Sequence, residues 1–251
     1  MISESAPTSV AVSDAERLAA RAGYDILADE YYSARHITSR NFDMATLSYL
    51  RRKPLSIPNY GFALDLGAGK GRLSEYCGIA PTRIVQTDLS ARMLILPARE
   101  PALGRVQADA LALPFKSEAF TIVAAFLFDP FNKTGLFAEI ARVTKSGGIF
   151  LGTTPHHQWG LALRSRRGRS IDEAVFVLEN GESIAQPSVL SQSEQLKDRL
   201  ADVGFSTVTN EALKIPREVT NISPDIELPA RIMKQSVYRI PIVQLVVAIR
   251  A

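Results

Sequence analysis

The chain has 251 residues, of which 46% are hydrophobic and 22% charged, with a formal net charge of +3. That hydrophobic content suffices for a large core in one elaborated α/β domain, and so mild a positive charge gives no argument for nucleic acid as a partner. Cys77 is the only cysteine, which excludes an internal disulfide and any cysteine-based zinc cluster, and no metal site is expected. The N-terminus lacks the basic start and apolar core of a signal peptide. No apolar run reaches the roughly 18 to 20 residues of a membrane span. A cytoplasmic protein that does not enter the membrane is the expectation.

Residues 1–12 are small and polar and are expected to be disordered. Ser13 and Glu16 then have capping-box spacing, and Leu18, Ala19, Ala22, Ile26 and Leu27 recur near helical spacing with Gly23 as a break, which predicts two short helices. A third is predicted over Phe42 to Leu50, ended by Arg51, Arg52, Lys53 and Pro54. Residues 13–60 thus form a helical preface, or cap.

The stretch Phe62 to Leu73, FALDLGAGKGRL, reads as strand, tight glycine turn and helix start. Its glycine spacing fits neither G-x-G-x-x-G nor a phosphate-binding P-loop, because Gly71 rather than Ser or Thr follows Lys70. Arg83 to Asp88 is a second strand, Ser90 caps the next helix, and Pro97 is expected to close it. Gly104 to Gln107 is a third strand. Phe120 to Phe128, nearly all apolar, suits a central strand covered on both faces.

Leu136 to Val143 has helical spacing, Ser146, Gly147 and Gly148 are expected to stop that helix, and Ile149 to Thr153 is the fifth strand. Alternation of strand and helix from 61 to 155 predicts a parallel sheet with right-handed crossovers. Residues 156–190 are polar and basic and carry the hairpin signal Asn180-Gly181 between strand pieces near Val175 and Ile184, an insertion or lid. From 191 to 251, Ser191 and Glu194 cap a helix through Leu200, and the strands Phe205 to Val208 and Ile242 to Ile249 follow.

Three strand ends carry groups suited to a nucleoside ligand. The glycine turn allows close backbone approach, Asp88 lies 17 positions after Gly71 where a carboxylate can hold a ribose diol, and Asp109 with Ala110 can read an adenine edge. A helix-start acid and a plain turn aspartate are the alternatives for the two carboxylates.

Together ALDLGAGKGRL, QTDLSARML, QADALALPFKSEAFTIV and LFAEIARVTKSGGIFLGTTP resemble the class I S-adenosylmethionine-dependent methyltransferases, closest to the small-molecule group that includes the ubiquinone-biosynthesis type. The resemblance implies a Rossmann-like doubly wound, seven-stranded, mostly parallel sheet with an antiparallel last strand. It implies S-adenosyl-L-methionine as cofactor, held by Asp65, Gly67, Ala68, Gly69, Asp88, Leu89, Met93, Asp109, Ala110 and Phe126, and a small-molecule methyl acceptor. Lys70 is expected to face solvent or the helix surface.

The corner Phe128-Asp129-Pro130-Phe131 stands where many relatives carry a His-His pair. It also resembles, without its second proline, the Asn-Pro-Pro-Tyr-like motif of amino-group methyltransferases. His156 and His157 follow the fifth strand and are the candidate catalytic bases. Tyr31, Tyr32, His36, Asp129 and Trp159 are the candidate substrate residues, with ordinary packing the alternative for the tyrosines and anchoring of the lid for Trp159. Arg164, Arg166, Arg167 and Arg169 read as a solvated loop. An RNA- or protein-directed methyltransferase and a non-catalytic cofactor-binding partner subunit are the competing readings.

Overall fold

A computed structural model describes residues 13–96, 101–131, 135–166 and 170–251. The expected disordered segment 1–12, the stop at Pro97, Arg167 and Arg169 lie outside the described residues.

The preface consists of α1 (Asp14–Leu27) and α2 (Ile37–Arg52). The capping box forms as expected, with Ser13 Oγ accepting the Glu16 N–H and the Glu16 carboxylate accepting the Ser13 N–H. Gly23 does not break α1. A Cβ there would lie 1.6 Å from the Gln186 side-chain nitrogen, so this glycine lets a later strand pack against one continuous helix.

The elements that follow are β1 (Ala63–Leu66), α3 (Leu73–Cys77), β2 (Ile84–Asp88), α4 (Ala91–Ile95), β3 (Gly104–Gln107), β4 (Phe120–Phe126), α5 (Leu136–Val143) and β5 (Thr144–Pro155). Then come α6 (His157–Arg166), β6 (Glu173–Val177), β7 (Ser183–Pro187), α7 (Ser193–Asp202), β8 (Phe205–Leu213), α8 (Pro224–Ile232) and β9 (Val243–Arg250). Seven strands form one sheet in the order β3-β2-β1-β4-β5-β9-β8. Strands β1 to β5 are parallel, and β9 runs antiparallel to both of its neighbours.

Alternate residues of the central strands serve two cores, as the period-2 pleat requires. Ala63, Ile122, Leu151 and Leu245 face α2, α3, α6 and α8, whereas Leu64, Val123, Phe150 and Val246 face α5 and α7. Cys77 is pushed up to about 12 by burial, consistent with packing rather than reactivity.

Several boundaries differ from expectation, among them α2, which starts at Ile37 ahead of Phe42, and β8, which runs past Val208 to Leu213. Helix α5 ends at Val143, so Gly147 and Gly148 lie within the extended stretch of β5, where Gly147 takes φ 71° and the β4–β5 register shifts. Helix α7 is capped by Gln192 with Gln195, one residue later than Ser191 and Glu194, and Ser191 Oγ instead accepts from Arg199. The hairpin β6–β7 forms about Asn180-Gly181, with Phe176 opposite Ile184. Gly181 takes φ 86°, the left-handed conformation such a turn requires.

Candidate active site

The sheet order reverses between β1 and β4, and a cavity of about 530 Å³ opens over the carboxyl ends of these strands. Leu66 is in register with Thr87 on one side and Ala125 on the other, which brings the glycine turn, Asp88 and Phe126 to one edge. Asp65, Gly67, Ala68, Gly69, Asp88, Leu89, Met93, Ala110 and Phe126 all line the cavity.

Asp65 is 1% exposed, and its carboxylate accepts the backbone N–H groups of Arg72 and Leu73 at 3.3 and 3.4 Å. Burial nonetheless pushes its pKa up to about 7. Asp88 accepts from the backbone N–H of Gly69 and of Ser90, each at 2.9 Å, and burial raises it above the usual carboxylate range. Ser90 Oγ in turn caps α4 by accepting the Met93 N–H, and its hydroxyl donates to Asp25 of α1 at 2.5 Å.

Gly67 and Gly69 take φ 65° and 51°. A Cβ on Gly67 would enter space with no protein atom within 4 Å, whereas one on Gly69 would lie 2.1 Å from the Tyr32 hydroxyl. The glycine turn therefore leaves a cradle at its first corner and seats the preface at its second. Tyr32 accepts the Lys70 N–H at 3.2 Å, and Lys70 Nζ stands 4.1 Å from the Tyr32 ring centroid. Lys70 thus lies on the cavity wall, not toward solvent, because the preface folds over it.

Asp109 does not line the cavity. Its carboxylate accepts from Arg17 of α1 and from the Leu111 N–H, both at 2.9 Å, so an ion pair to the preface occupies the group expected to read adenine. Sequence reading missed Arg17, and it missed Asp43, which joins Arg72 and accepts from the Tyr76 hydroxyl at 2.5 Å under the same cavity. An acid one position from the apolar Phe42 was the available signal for Asp43. Arg17, whose partner is 92 positions away, has none.

A second cavity of about 370 Å³ adjoins the first, and both are lined by Tyr24, Tyr31, Ser39, Phe42 and Leu127. Leu127 takes φ 58°, a left-handed conformation costing about 1–2 kcal/mol for a non-glycine residue. Its N–H donates to Thr153 Oγ1 at 3.0 Å, which helps to hold it there. His36, Asp129 and Trp159 line the second cavity, Tyr31 lines both, and Tyr32 lines the first.

Asp129, 7% exposed, is pushed up to about 6 by burial and accepts the Ser188 hydroxyl. Arg164 is not part of a solvated loop. It is 5% exposed on α6 and donates to the Ser188 carbonyl, the Ser188 hydroxyl and the Ile171 carbonyl, tying α6 to the lid hairpin. Trp159 both anchors and lines: its indole N–H donates to the Asp225 carbonyl at 2.9 Å, and its ring meets Phe42 edge-on at 5.0 Å.

His156 and His157 line neither cavity. The His156 backbone N–H is bound to the Ile242 carbonyl, and its buried Nδ1 has no partner among the described residues. Burial and neighbouring His157 push its imidazole down to about 4.

A doubly wound sheet with one antiparallel penultimate strand in the sheet order and a cleft at its switch point is the fold of the class I S-adenosylmethionine-dependent methyltransferases. Residues 64–152 match the family described as "Methyltransferase domain". No match was found among curated proteins.

Among solved structures, a chain of the Haloferax volcanii complex that contains the Trm112 methyltransferase activator aligns at TM-score 0.65 and 16% identity, covering 90% of this chain and 97% of that one. An S-adenosylmethionine-dependent methyltransferase from Mesorhizobium loti aligns at 0.55 and 18%, covering 83% and 100%. DhpI in complex with SAH aligns at 0.59 and 17%, covering 96% and 99%. Identities this low carry the fold and leave the acceptor open.

The cofactor of this domain class is S-adenosyl-L-methionine, and the cavity suits it. The open space at Gly67 admits a ligand against the backbone, and the buried carboxylate of Asp65 and the half-buried one of Asp88 suit an ammonium and a ribose diol. Among the described residues no helix is long and apolar enough to cross a membrane, and no cluster of residues can hold a metal ion.

Proposed function

We propose that the chain is an enzyme that moves a methyl group from S-adenosyl-L-methionine to an oxygen or nitrogen of a small molecule held in the second cavity. When bound, the cofactor supplies an electrophilic methyl group on a sulfonium. The observation that carries this reading is the shared wall of Tyr24, Tyr31, Ser39, Phe42 and Leu127, which puts a second cavity directly against the cofactor cavity.

Asp65 would face the ammonium, Asp88 the ribose, and Leu89, Met93 and Ala110 the adenine. The preface and the hairpin would exclude water and align the acceptor, which is most of what in-line displacement asks of a protein. His156 and His157 line neither cavity, so proton removal from a hydroxyl acceptor falls to His36 on the second wall, whose buried Nε2 has no hydrogen-bond partner among the described residues. Burial holds the His36 imidazole below its ordinary range, which leaves it neutral near pH 7 and able to accept a proton.

An acceptor space of about 370 Å³ walled by several elements suits a small molecule better than RNA or protein. The test is transfer from S-adenosylmethionine carrying a labelled methyl group, with a cell extract fractionated afterwards. Label in the small-molecule fraction is expected. Label confined to RNA or protein would overturn the acceptor class, and cofactor binding without transfer would support the non-catalytic partner subunit.

A further inference from the structure

The second cavity is walled by aromatic rings from several elements: Tyr24 of α1, Tyr31 in the connection to α2, Phe42 of α2, Trp159 of α6 and Phe176 of β6. They form two groups on one wall, Tyr24 with Tyr31 and Phe176, and Phe42 with Trp159. Tyr31 lies 6.5 Å from Tyr24 and 5.7 Å from Phe176 between ring centroids, and Phe42 meets Trp159 edge-on at 5.0 Å.

The charged groups on the same wall are already engaged or face outward. Arg164 donates to Ser188 and to the Ile171 carbonyl, and Ser188 also donates to Asp129, which closes that network within the protein. Arg35 pairs with Glu179 at 3.6 Å on the exposed rim, Glu173 is exposed, and Asp225 has interactions of its own. The hydroxyls of Thr38 and Ser223 bond each other at 2.7 Å. A charged ligand entering here would leave water without gaining a free counter-charge, whereas a flat ring would find faces and edges to pack against.

We propose that the second cavity takes an uncharged, planar ring compound bearing a hydroxyl or amino group, with that substituent directed at the wall shared with the cofactor cavity. This rests on the reading of the first cavity as the cofactor site. The hairpin then acts as the specificity element, since Phe176 is its ring on the wall and lines only the second cavity.

Trp159 is the only tryptophan of the chain and lies on this wall, so its fluorescence reports occupancy directly. The full chain loaded with S-adenosylhomocysteine is titrated with three quenchers sharing one ring: 4-nitroaniline, 4-nitrophenyl phosphate and 4-nitrobenzylammonium. Saturable quenching by 4-nitroaniline is expected, with both charged probes at least tenfold weaker. Phe176→Ala should weaken 4-nitroaniline at least fivefold and leave S-adenosylhomocysteine affinity unchanged by calorimetry. Equal or tighter binding of a charged probe would overturn the proposal, as would failure of all three to saturate while S-adenosylhomocysteine binds. Absence of S-adenosylhomocysteine binding would strike the cofactor reading itself, and the proposal with it.

Discussion

With the ligand ammonium beside Asp65, as proposed above, cofactor affinity should depend on pH. The carboxyl is 1% exposed, and two long backbone hydrogen bonds, at 3.3 and 3.4 Å, offset only part of the cost of burying its charge, which leaves it near 7. At pH 6 about one carboxyl in ten is therefore ionised, and at pH 8 about nine in ten. A ligand ammonium beside Asp65 needs the charged form and draws the pKa down on binding. S-adenosylhomocysteine should accordingly bind about ninefold more tightly at pH 8 than at pH 6 and release a proton when it binds below pH 7. The ligand 5′-methylthioadenosine has the same nucleoside without the amino-acid end, and its affinity should hardly change. Calorimetry of both ligands at the two pH values, in buffers of different ionisation enthalpy, measures affinity and proton release together. Asp65→Asn should lose the pH difference for S-adenosylhomocysteine. Equal pH dependence for the two ligands, or none for S-adenosylhomocysteine with the wild type, would refute the reasoning.

Gly69→Ala combines a left-handed backbone with a Cβ 2.1 Å from the Tyr32 hydroxyl. The expected loss is about 2–3 kcal/mol in urea unfolding, and Tyr32→Phe should cost less in that background than in the wild type. Ser188→Ala removes the hydroxyl between Asp129 and Arg164; a loss of about 2–3 kcal/mol and faster protease cutting within the hairpin are expected, because two buried charges lose a shared partner. His156 has a folded pKa of about 4, below its unfolded value. Its contribution is thus present above about pH 6.5 and lost as pH falls toward 4, and His156→Gln should remove about 1–2 kcal/mol of acid destabilisation, allowing for solvent screening. Urea midpoints of both chains at pH 4.5, 5.5 and 7 check this.

Most strands and helices were legible because each rests on a local pattern, but α6 (His157–Arg166) fell in a stretch read as a polar lid. Apolar runs mark β1, β4 and β9, a serine three positions before a glutamate marks the start of α1, and Asn180-Gly181 marks the hairpin. Errors came where a local signal had a distant cause. Gly23 resembled a helix break and is instead the place where Gln186 packs against α1. The arginine run looked solvated, yet Arg164 finds its partner at Ser188, 24 positions on. His156 and His157 follow the expected strand and still line neither cavity; the His156 backbone N–H is held by the Ile242 carbonyl, just ahead of β9.

Along the chain, the glycine turn and Asp88 were legible as the edge of a nucleoside-sized cavity, whereas the place of Asp109 was not. A glycine turn after β1 and an acid at the end of β2 occupy fixed offsets from strand ends, and parallel pairing carries such offsets to one edge. Tertiary structure alone decided the rest. It set Arg17 on Asp109, gathered Asp43, Arg72 and Tyr76, and enclosed an aromatic cavity between α1, α2, α6 and the hairpin. Those arrangements depend on side chains from segments far apart in the chain, whose meeting is set by helix and hairpin packing over the sheet and leaves no periodic trace along the chain.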